Sequence, residues 1–428
     1  MHRSEQSKRL LYFAHSFPPA ASIAAVRTWN TVKYLSALGW KVTVVTPKAD
    51  YWLEINSAAS ANAELARYGI ERIETGHITR FLIPDYFKSP RSRIGRIVSI
   101  FTRKMLHAVG IETATGWTLS VLRMRKEILK KKYDVVMSTG SPFFSFWLAS
   151  HFARKGRSPY VLDYRDPWHG HPHERPNAKR FSKGLEANLQ AGASAIIVVS
   201  ESWAKLITVP NHCESKSYVV PNGFDAEVDD QVTASRFDHF AIVYTGVLYP
   251  PKRVLDPVFH AMAKLLDSGT VSPGSLQFHY YGSHGDLVRD AAQRCGCESA
   301  VVIHGRVSRA ESFAATKGAG LSVVVTSIYP STGLVDDGII PGKVFECLGM
   351  RRPILGLAPE GSDFRKIIER AGLGRCFTGD EIGAIAEYIR NVHSGNTPPE
   401  RDRDAFSWSQ LACEVDKILS QTLAYSLK

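Results

Sequence analysis

Over 428 residues, short apolar runs rich in Val, Ile and Tyr alternate with segments of helical period almost without interruption. That pattern belongs to βαβ units, where a parallel sheet is covered by helices on both faces and its strands are apolar on both sides. In the first half, strands are expected at 10–15, 41–46, 78–83, 134–138, 159–163, 195–199 and 217–220. Helices are expected between them at 23–38, 92–109, 117–131, 142–154 and 177–191. A second series starts at Phe240-Ala-Ile-Val-Tyr-Thr-Gly246, with further strands at 276–281, 300–304, 320–325 and 353–357. Its helices are expected from 252 and at 284–294, 308–317 and 342–350. A chain of this length exceeds a single core. The turn Pro221-Asn222-Gly223-Phe224-Asp225 and the polar stretch 226–238 mark the boundary. The expectation is an α/β protein with two Rossmann-like, doubly wound domains, 1–222 and 223–404, facing across a cleft. A closing helix, 405–428, would pack back on the first domain. Sheets of this kind bind ligands outside the carboxyl ends of their strands, so function is sought in those loops.

The composition narrows the class. With 44% hydrophobic and 22% charged residues the chain is an ordinary globular protein. No apolar run approaches the length of a spanning helix, and the polar start Met1 to Arg9 is not a secretory leader, so a cytoplasmic protein is expected. Six scattered cysteines without paired spacing indicate neither a disulfide framework nor a zinc site. The net charge of +12 is uneven: residues 1–205 hold 31 Lys/Arg against 15 Asp/Glu, and the remainder holds 22 against 26. A basic half of that size calls for a partner with phosphates, whether nucleic acid, anionic lipid or a charged small substrate.

Two segments of the second half carry chemistry. In Gly338-Ile-Ile-Pro-Gly342-Lys343-Val-Phe-Glu346 a glycine-containing loop leads into a helix whose first turn offers free N–H groups, which attract anions. Lys343 can add charge there, and Glu346, one turn on, can accept bonds from sugar hydroxyls. The same residues also suit an ordinary helix start with a surface ion pair. In Tyr244-Thr-Gly246-Val-Leu-Tyr-Pro-Pro-Lys252-Arg253 the glycine permits a tight turn, and the two cations could meet the same phosphates or simply be solvated. Fixed cations suit a transferase that must stabilise a departing diphosphate. His169, His171 and His173 alternate after Asp166-Pro-Trp168, as a metal tract or a polar loop would; no metal site is expected.

Taken in order, Phe17-Pro-Pro…Arg27, Leu38-Gly-Trp-Lys-Val-Thr-Val, Asp163-Tyr-Arg-Asp-Pro-Trp168, Pro-Asn-Gly-Phe-Asp225, Tyr-Thr-Gly-Val-Leu-Tyr249 and Gly342-Lys343-x-x-Glu346-Cys-Leu…Arg352-Pro-Ile-Leu resemble the family 4 retaining glycosyltransferases of GT-B fold, nearly end to end. The resemblance implies a nucleotide-diphosphate-sugar as co-substrate, with no other cofactor. Glu346 corresponds to the second glutamate of the family's Glu-x7-Glu pair and Lys252 to its phosphate-binding lysine, with Gly246, Arg253, Gly342 and Lys343 around them. Arg165 and Asp166 match a loop that lies beside the reacting sugar. The first loop, containing Ser22 and Arg27, is implied to meet acceptor or phosphate. Two positions depart from the pattern: Gly338 stands where the first glutamate is usual, and Val247 where a basic residue commonly follows the strand glycine.

Between Arg80 and Lys132 lie 13 Lys/Arg and 3 Asp/Glu. Within 92–109, Ile94, Ile97, Val98, Phe101, Met105 and Val109 form a helical stripe opposite Arg93, Arg96, Arg103, Lys104 and His107, as in a helix lying on an anionic bilayer. A helix packed on the sheet with a solvated basic face has the same pattern. Relatives of this kind commonly extend glycans or polyprenyl-diphosphate-linked acceptors, which suits a cytoplasmic protein peripheral to the inner face of the membrane. No aromatic-basic module for nucleic acid is evident. Three activities remain open: a retaining glycosyltransferase, a catalytically silent GT-B partner protein that binds sugar nucleotide or glycan, and a nucleotide-sugar epimerase.

Overall fold

In the computed structural model the described residues are 7–52, 55, 57–78, 97–98, 100–102, 104–105, 115–170, 179–272 and 274–426. The chain forms two compact units, Met1–Pro221 with Leu411–Lys428, and Asn222–Gln410.

The first unit holds a seven-stranded sheet of β1 (Arg9–Phe13), β2 (Lys41–Pro47), β3 (Glu71–Thr75), β4 (Val135–Gly140), β5 (Tyr160–Tyr164), β6 (Ala195–Val198) and β7 (Ser217–Val219). Its order is β3-β2-β1-β4-β5-β6-β7, with all neighbours parallel. Leu10 is in register with Val42 on one side and Val135 on the other. The central strands are buried along nearly their whole length, which is why they read as continuous apolar runs. The third strand departs from expectation. It is Glu71–Thr75, not 78–83; Ile78 follows it in a loop, and 79–83 lie outside the described residues. β3 is an edge strand, where charged side chains are tolerated and discourage further pairing. Glu71 there accepts from Lys131 and from Thr43.

The helices Ile23–Ala37, Thr115–Arg123, Phe144–Gly156 and Lys179–Gly192 connect or flank these strands, and Ala58–Arg67 and Glu201–Thr208 add two that were not expected. From Leu411 onward the closing helix Trp408–Ser426 belongs to this unit: Asp416 accepts from the Trp40 indole at 2.8 Å and pairs with Lys8 at 3.5 Å.

The second unit holds β8 (Phe240–Thr245), β9 (Leu276–Tyr281), β10 (Val301–Gly305), β11 (Leu321–Val325), β12 (Ile354–Leu357) and β13 (Gly374–Phe377) in the order β10-β9-β8-β11-β12-β13, again parallel. The first strand thus lies inside the sheet in both units, and the order reverses between it and its later neighbour: β1/β4 in one, β8/β11 in the other. That reversal is the topological switch point of a Rossmann-like sheet. One face of the second sheet packs on the helices Asp256–Asp267, Gly285–Arg294 and Ile382–His393 through Val258, Phe259, Met262, Val288, Ile385 and Ile389. The other is covered by the helices Gly342–Gly349 and Asp363–Ala371 through Val344, Phe345, Leu348, Phe364 and Ile368.

Candidate active site

Two loops flank the β8/β11 switch point. The first leaves β8 through Gly246, whose φ of +131° is a conformation that side chains disfavour. The Gly246 N–H donates to the Tyr281 carbonyl at 2.8 Å, and its own carbonyl accepts from the Tyr280 hydroxyl at 3.0 Å. A Cβ added at Gly246 would lie 4.0 Å from Cε of Lys343, so this turn sits directly beside the first turn of the helix Gly342–Gly349. Farther on, Tyr249 and Arg253 exchange backbone hydrogen bonds of 3.0 and 2.9 Å, folding 249–253 into a tight hairpin. The Ile328 N–H donates to the Lys252 carbonyl at 2.9 Å and ties that hairpin to the segment after β11.

The helix Gly342–Gly349 has Pro341 at its N-cap, and no side chain among the described residues caps it. Its apolar side, Val344, Phe345, Cys347 and Leu348, is buried against the sheet, which leaves Lys343 and Glu346 on the accessible side. Their Nζ and Oε2 are 2.8 Å apart. First-turn N–H groups without a side-chain cap, next to an ammonium, form an anion-attracting surface. Lys252 donates to both oxygens of Asp336 at 2.9 Å. The Arg253 guanidinium stacks on the ring of Tyr249 at 5.1 Å, and its Nε has no hydrogen-bond partner among the described residues. Gly246, Lys252, Arg253, Gly342, Lys343 and Glu346 therefore all lie on two loops and a helix start at the carboxyl edge of one sheet. Gly338 closes the helical turn Leu334–Asp337 and offers backbone only where the family pattern has a glutamate.

In the first unit the named residues are more deeply engaged. The Ser22 hydroxyl oxygen accepts from the Ala25 N–H at 3.1 Å and caps the helix Ile23–Ala37. Arg27 is buried on that helix. It donates through Nη2 and Nε to Asp163 at 2.7 and 3.2 Å, and to the carbonyls of Pro221 and Val220 at 2.9 and 3.1 Å. Arg165 donates through Nε to Thr139 Oγ1 at 3.0 Å and to the Gly140 carbonyl at 2.9 Å, and through Nη2 to the Ser141 carbonyl. Burial lowers its guanidinium from the ordinary value, while Asp166 and Asp163 work to raise it. Asp166 follows at the carboxyl end of β5, half-buried. His169 lies 3.7 Å from the buried Glu186; His171 and His173 lie outside the described residues.

Three carboxylates take roles that were not assigned from the sequence. Asp163 is the partner of Arg27, Asp336 that of Lys252, and Asp229 is buried against Gly349 near Glu346. The first pairing spans 136 residues, and no local pattern signals it.

Comparison with known proteins bears on the fold. Residues 24–228 match the sequence model of Glycosyltransferase Family 4. Among solved structures, sucrose-phosphate synthase from Thermosynechococcus elongatus aligns with a TM-score of 0.60 at 14% identity, over 98% of this chain and 100% of that one. HepE from Anabaena, in complex with UDP and glucose, aligns with a TM-score of 0.58 at 14% identity, over 97% of this chain and 100% of that one. This is the GT-B fold. A third GT-B chain, the lipopolysaccharide outer core galactosyltransferase WaaB in its apo form, aligns with a TM-score of 0.56 at 13% identity, over 96% and 99% of the two chains. No curated protein matches the sequence. Among the described residues of this GT-B chain, no group of three His, Cys, Asp or Glu is placed to hold a metal ion, and no helix is long and apolar enough to cross a membrane.

Proposed function

We propose that the chain is a retaining, metal-independent glycosyltransferase that moves a sugar from a nucleotide-diphosphate-sugar to a glycan or polyprenyl-diphosphate-linked acceptor in surface polysaccharide or glycolipid assembly. The observation that carries this is the helix start at Gly342. An uncapped first turn, Lys343 and the Gly246 turn meet at the β8/β11 switch point, with Lys252 on the same loop as Gly246. Solved neighbours of the same fold contain UDP or UDP-glucose, which favours a nucleotide-sugar as donor.

In this reading the first-turn N–H groups, Lys343 and Lys252 hold the diphosphate, and Glu346 accepts from donor hydroxyls. The acceptor oxygen forms the new bond to the anomeric carbon on the face from which the diphosphate departs. The bond from that carbon to the phosphate oxygen breaks, and the acceptor proton passes to the departing phosphate. Negative charge grows on the diphosphate as it leaves, and the fixed donors act there. Arg165 and Asp166 stand on the acceptor side, as does the loop from Ser22 to Arg27. With its guanidinium engaged by Asp163, Arg27 serves in this scheme by holding that loop.

Contact with an anionic membrane surface is part of the proposal. Among the described residues of 92–109, those at 97–98, 100–102 and 104–105 are helical, and Ile97, Val98, Ile100, Phe101 and Met105 are exposed beside Lys104. Arg93, Arg96, Arg103 and His107 lie outside the described residues. Charge reversal at Arg93, Arg96, Arg103 and Lys104 should weaken binding to anionic liposomes in flotation assays; undiminished binding would remove the membrane from the account.

The backbone-only position at Gly338 favours a second reading, a silent GT-B protein that binds sugar nucleotide or glycan as a partner. A donor panel assayed for transfer and hydrolysis, with anomeric analysis of the product, separates the two. A transferred sugar with retained configuration supports the first. Binding without turnover supports the second, and an altered nucleotide-sugar formed without acceptor indicates an epimerase.

A further inference from the structure

Lys252 and Asp336 form an asymmetric pair. The lysine side chain is 47% exposed and the aspartate side chain 8%. Asp336 is fixed from behind by Thr332, whose backbone N–H and hydroxyl donate to Oδ2 at 3.1 and 2.6 Å. Burial works to raise the Asp336 carboxyl, but the bonds from Thr332 and Lys252 outweigh it and hold the group below its ordinary value, so it carries a full negative charge at neutral pH. An ammonium has three donors. Asp336 takes the bonds to its two oxygens, and no other acceptor among the described residues engages the half-exposed ammonium, which can meet a further one. A carboxylate placed so has two effects on an arriving diphosphate. It confines a side chain that otherwise samples many rotamers, which favours binding. It also leaves the pair with no net charge, so a dianionic ligand is held less strongly than by a bare ammonium.

We propose that Asp336 is a positioning residue that acts through Lys252: it keeps the ammonium over the donor site and, as a resident counter-charge, loosens the grip on the nucleoside diphosphate left after transfer so that product departs. The proposal rests on the donor-site reading above. It gives Asp336 a place in the cycle that does not require contact with the sugar, and it accounts for a fixed anion beside a cation meant for phosphate.

Asparagine separates the two effects, because its carbonyl oxygen still accepts from Lys252 and Thr332 while the charge is gone. The test is calorimetric titration of UDP, GDP, ADP and TDP into the full chain and its Asp336→Asn, Asp336→Ala, Thr332→Val and Lys252→Ala variants, with product inhibition measured alongside. Asp336→Asn should bind the preferred nucleoside diphosphate about threefold more tightly, as expected for removing the counter-charge of a half-exposed lysine, with stronger product inhibition and a lower kcat. Thr332→Val, which keeps the charge, should bind it as the native chain does. Unchanged or weaker binding by Asp336→Asn overturns the proposal and reduces Asp336 to a fastener of the segment 332–337. Tighter binding by Thr332→Val overturns it equally, since the charge would then not be the cause. If the native chain binds none of the four, or Lys252→Ala binds as well as the native chain, the donor-site reading itself fails and the proposal with it.

Discussion

Arg27 in the first unit and Lys252 in the second each follow the first strand of a sheet of the same order, and each is paired with an aspartate. The side chains of Arg27 and Asp163 are 4% and 1% exposed, whereas Lys252 is 47% exposed. Arg27 spends its donors on Asp163 and on two carbonyls of the chain that closes its own unit, which makes it a fastener. Lys252, half-exposed, can take a ligand beside its partner. A basic residue after a first strand looks alike in both halves of the sequence, and the exposure of the cation separates the one that serves the fold from the one assigned to a substrate.

The largest effect should follow from breaking the buried pair. Asp163→Ala leaves Arg27 charged and enclosed, and losing one partner of such a pair costs about 3–5 kcal/mol. Chemical denaturation of the full chain should show that loss in the transition that unfolds the first unit; a change below about 1 kcal/mol would place this pair with ordinary surface ones. On the other side of the comparison, Lys252→Ala and Glu346→Gln should each lower transfer by about tenfold or more, as for lost stabilisation of developing charge. Their unfolding midpoints should stay near that of the native chain. Unchanged turnover in both would mean that the exposed cation and its neighbour have no part in donor chemistry.

The smallest effect concerns a carboxylate with no ion-pair partner among the described residues. Asp229 is buried, its Oδ2 has no hydrogen-bond partner among the described residues, and burial first, then Asp225 and Glu346, push it up to about 7. Between its ordinary value of 3.8 and about 7 the folded chain retains a proton that the unfolded chain releases. The contribution of Asp229 to stability is therefore fully present below the lower value and is lost as pH rises through the higher one. Asp229→Asn cannot ionise, so its melting temperature relative to the native chain should rise from pH 5 to pH 8. A difference independent of pH would show that Asp229 is already charged at pH 5.

These contrasts bear on what the residues revealed before folding. β8, its glycine turn and the helix start at Gly342 were legible because they are local: an apolar run, a glycine and a helical stripe within a few residues of one another. β3 was not, since Glu71-Arg-Ile-Glu-Thr owes its strand to an edge position beside β2 rather than to apolar alternation. Between β12 and the closing helix the structure adds the helices Asp363–Ala371 and Ile382–His393 and the four-residue strand β13. The i, i+3, i+4, i+7 spacing of Phe364, Ile367, Ile368 and Ala371 carries the first of these, whereas Gly374-Arg-Cys-Phe is too short to show a period. The pairings of Arg27 with Asp163 and of Lys252 with Asp336 join residues brought together only by strand order, and strand order is set by the whole sheet.

The central claim is that donor phosphates rest on the start of the helix Gly342–Gly349. Hydrogen exchange of the full chain, with and without whichever of UDP, GDP, ADP and TDP binds it, tests this at the amides themselves. The account predicts slowed exchange in peptides covering 246–253 and 339–346. Unchanged exchange in both, under conditions where the nucleotide is bound, would contradict it.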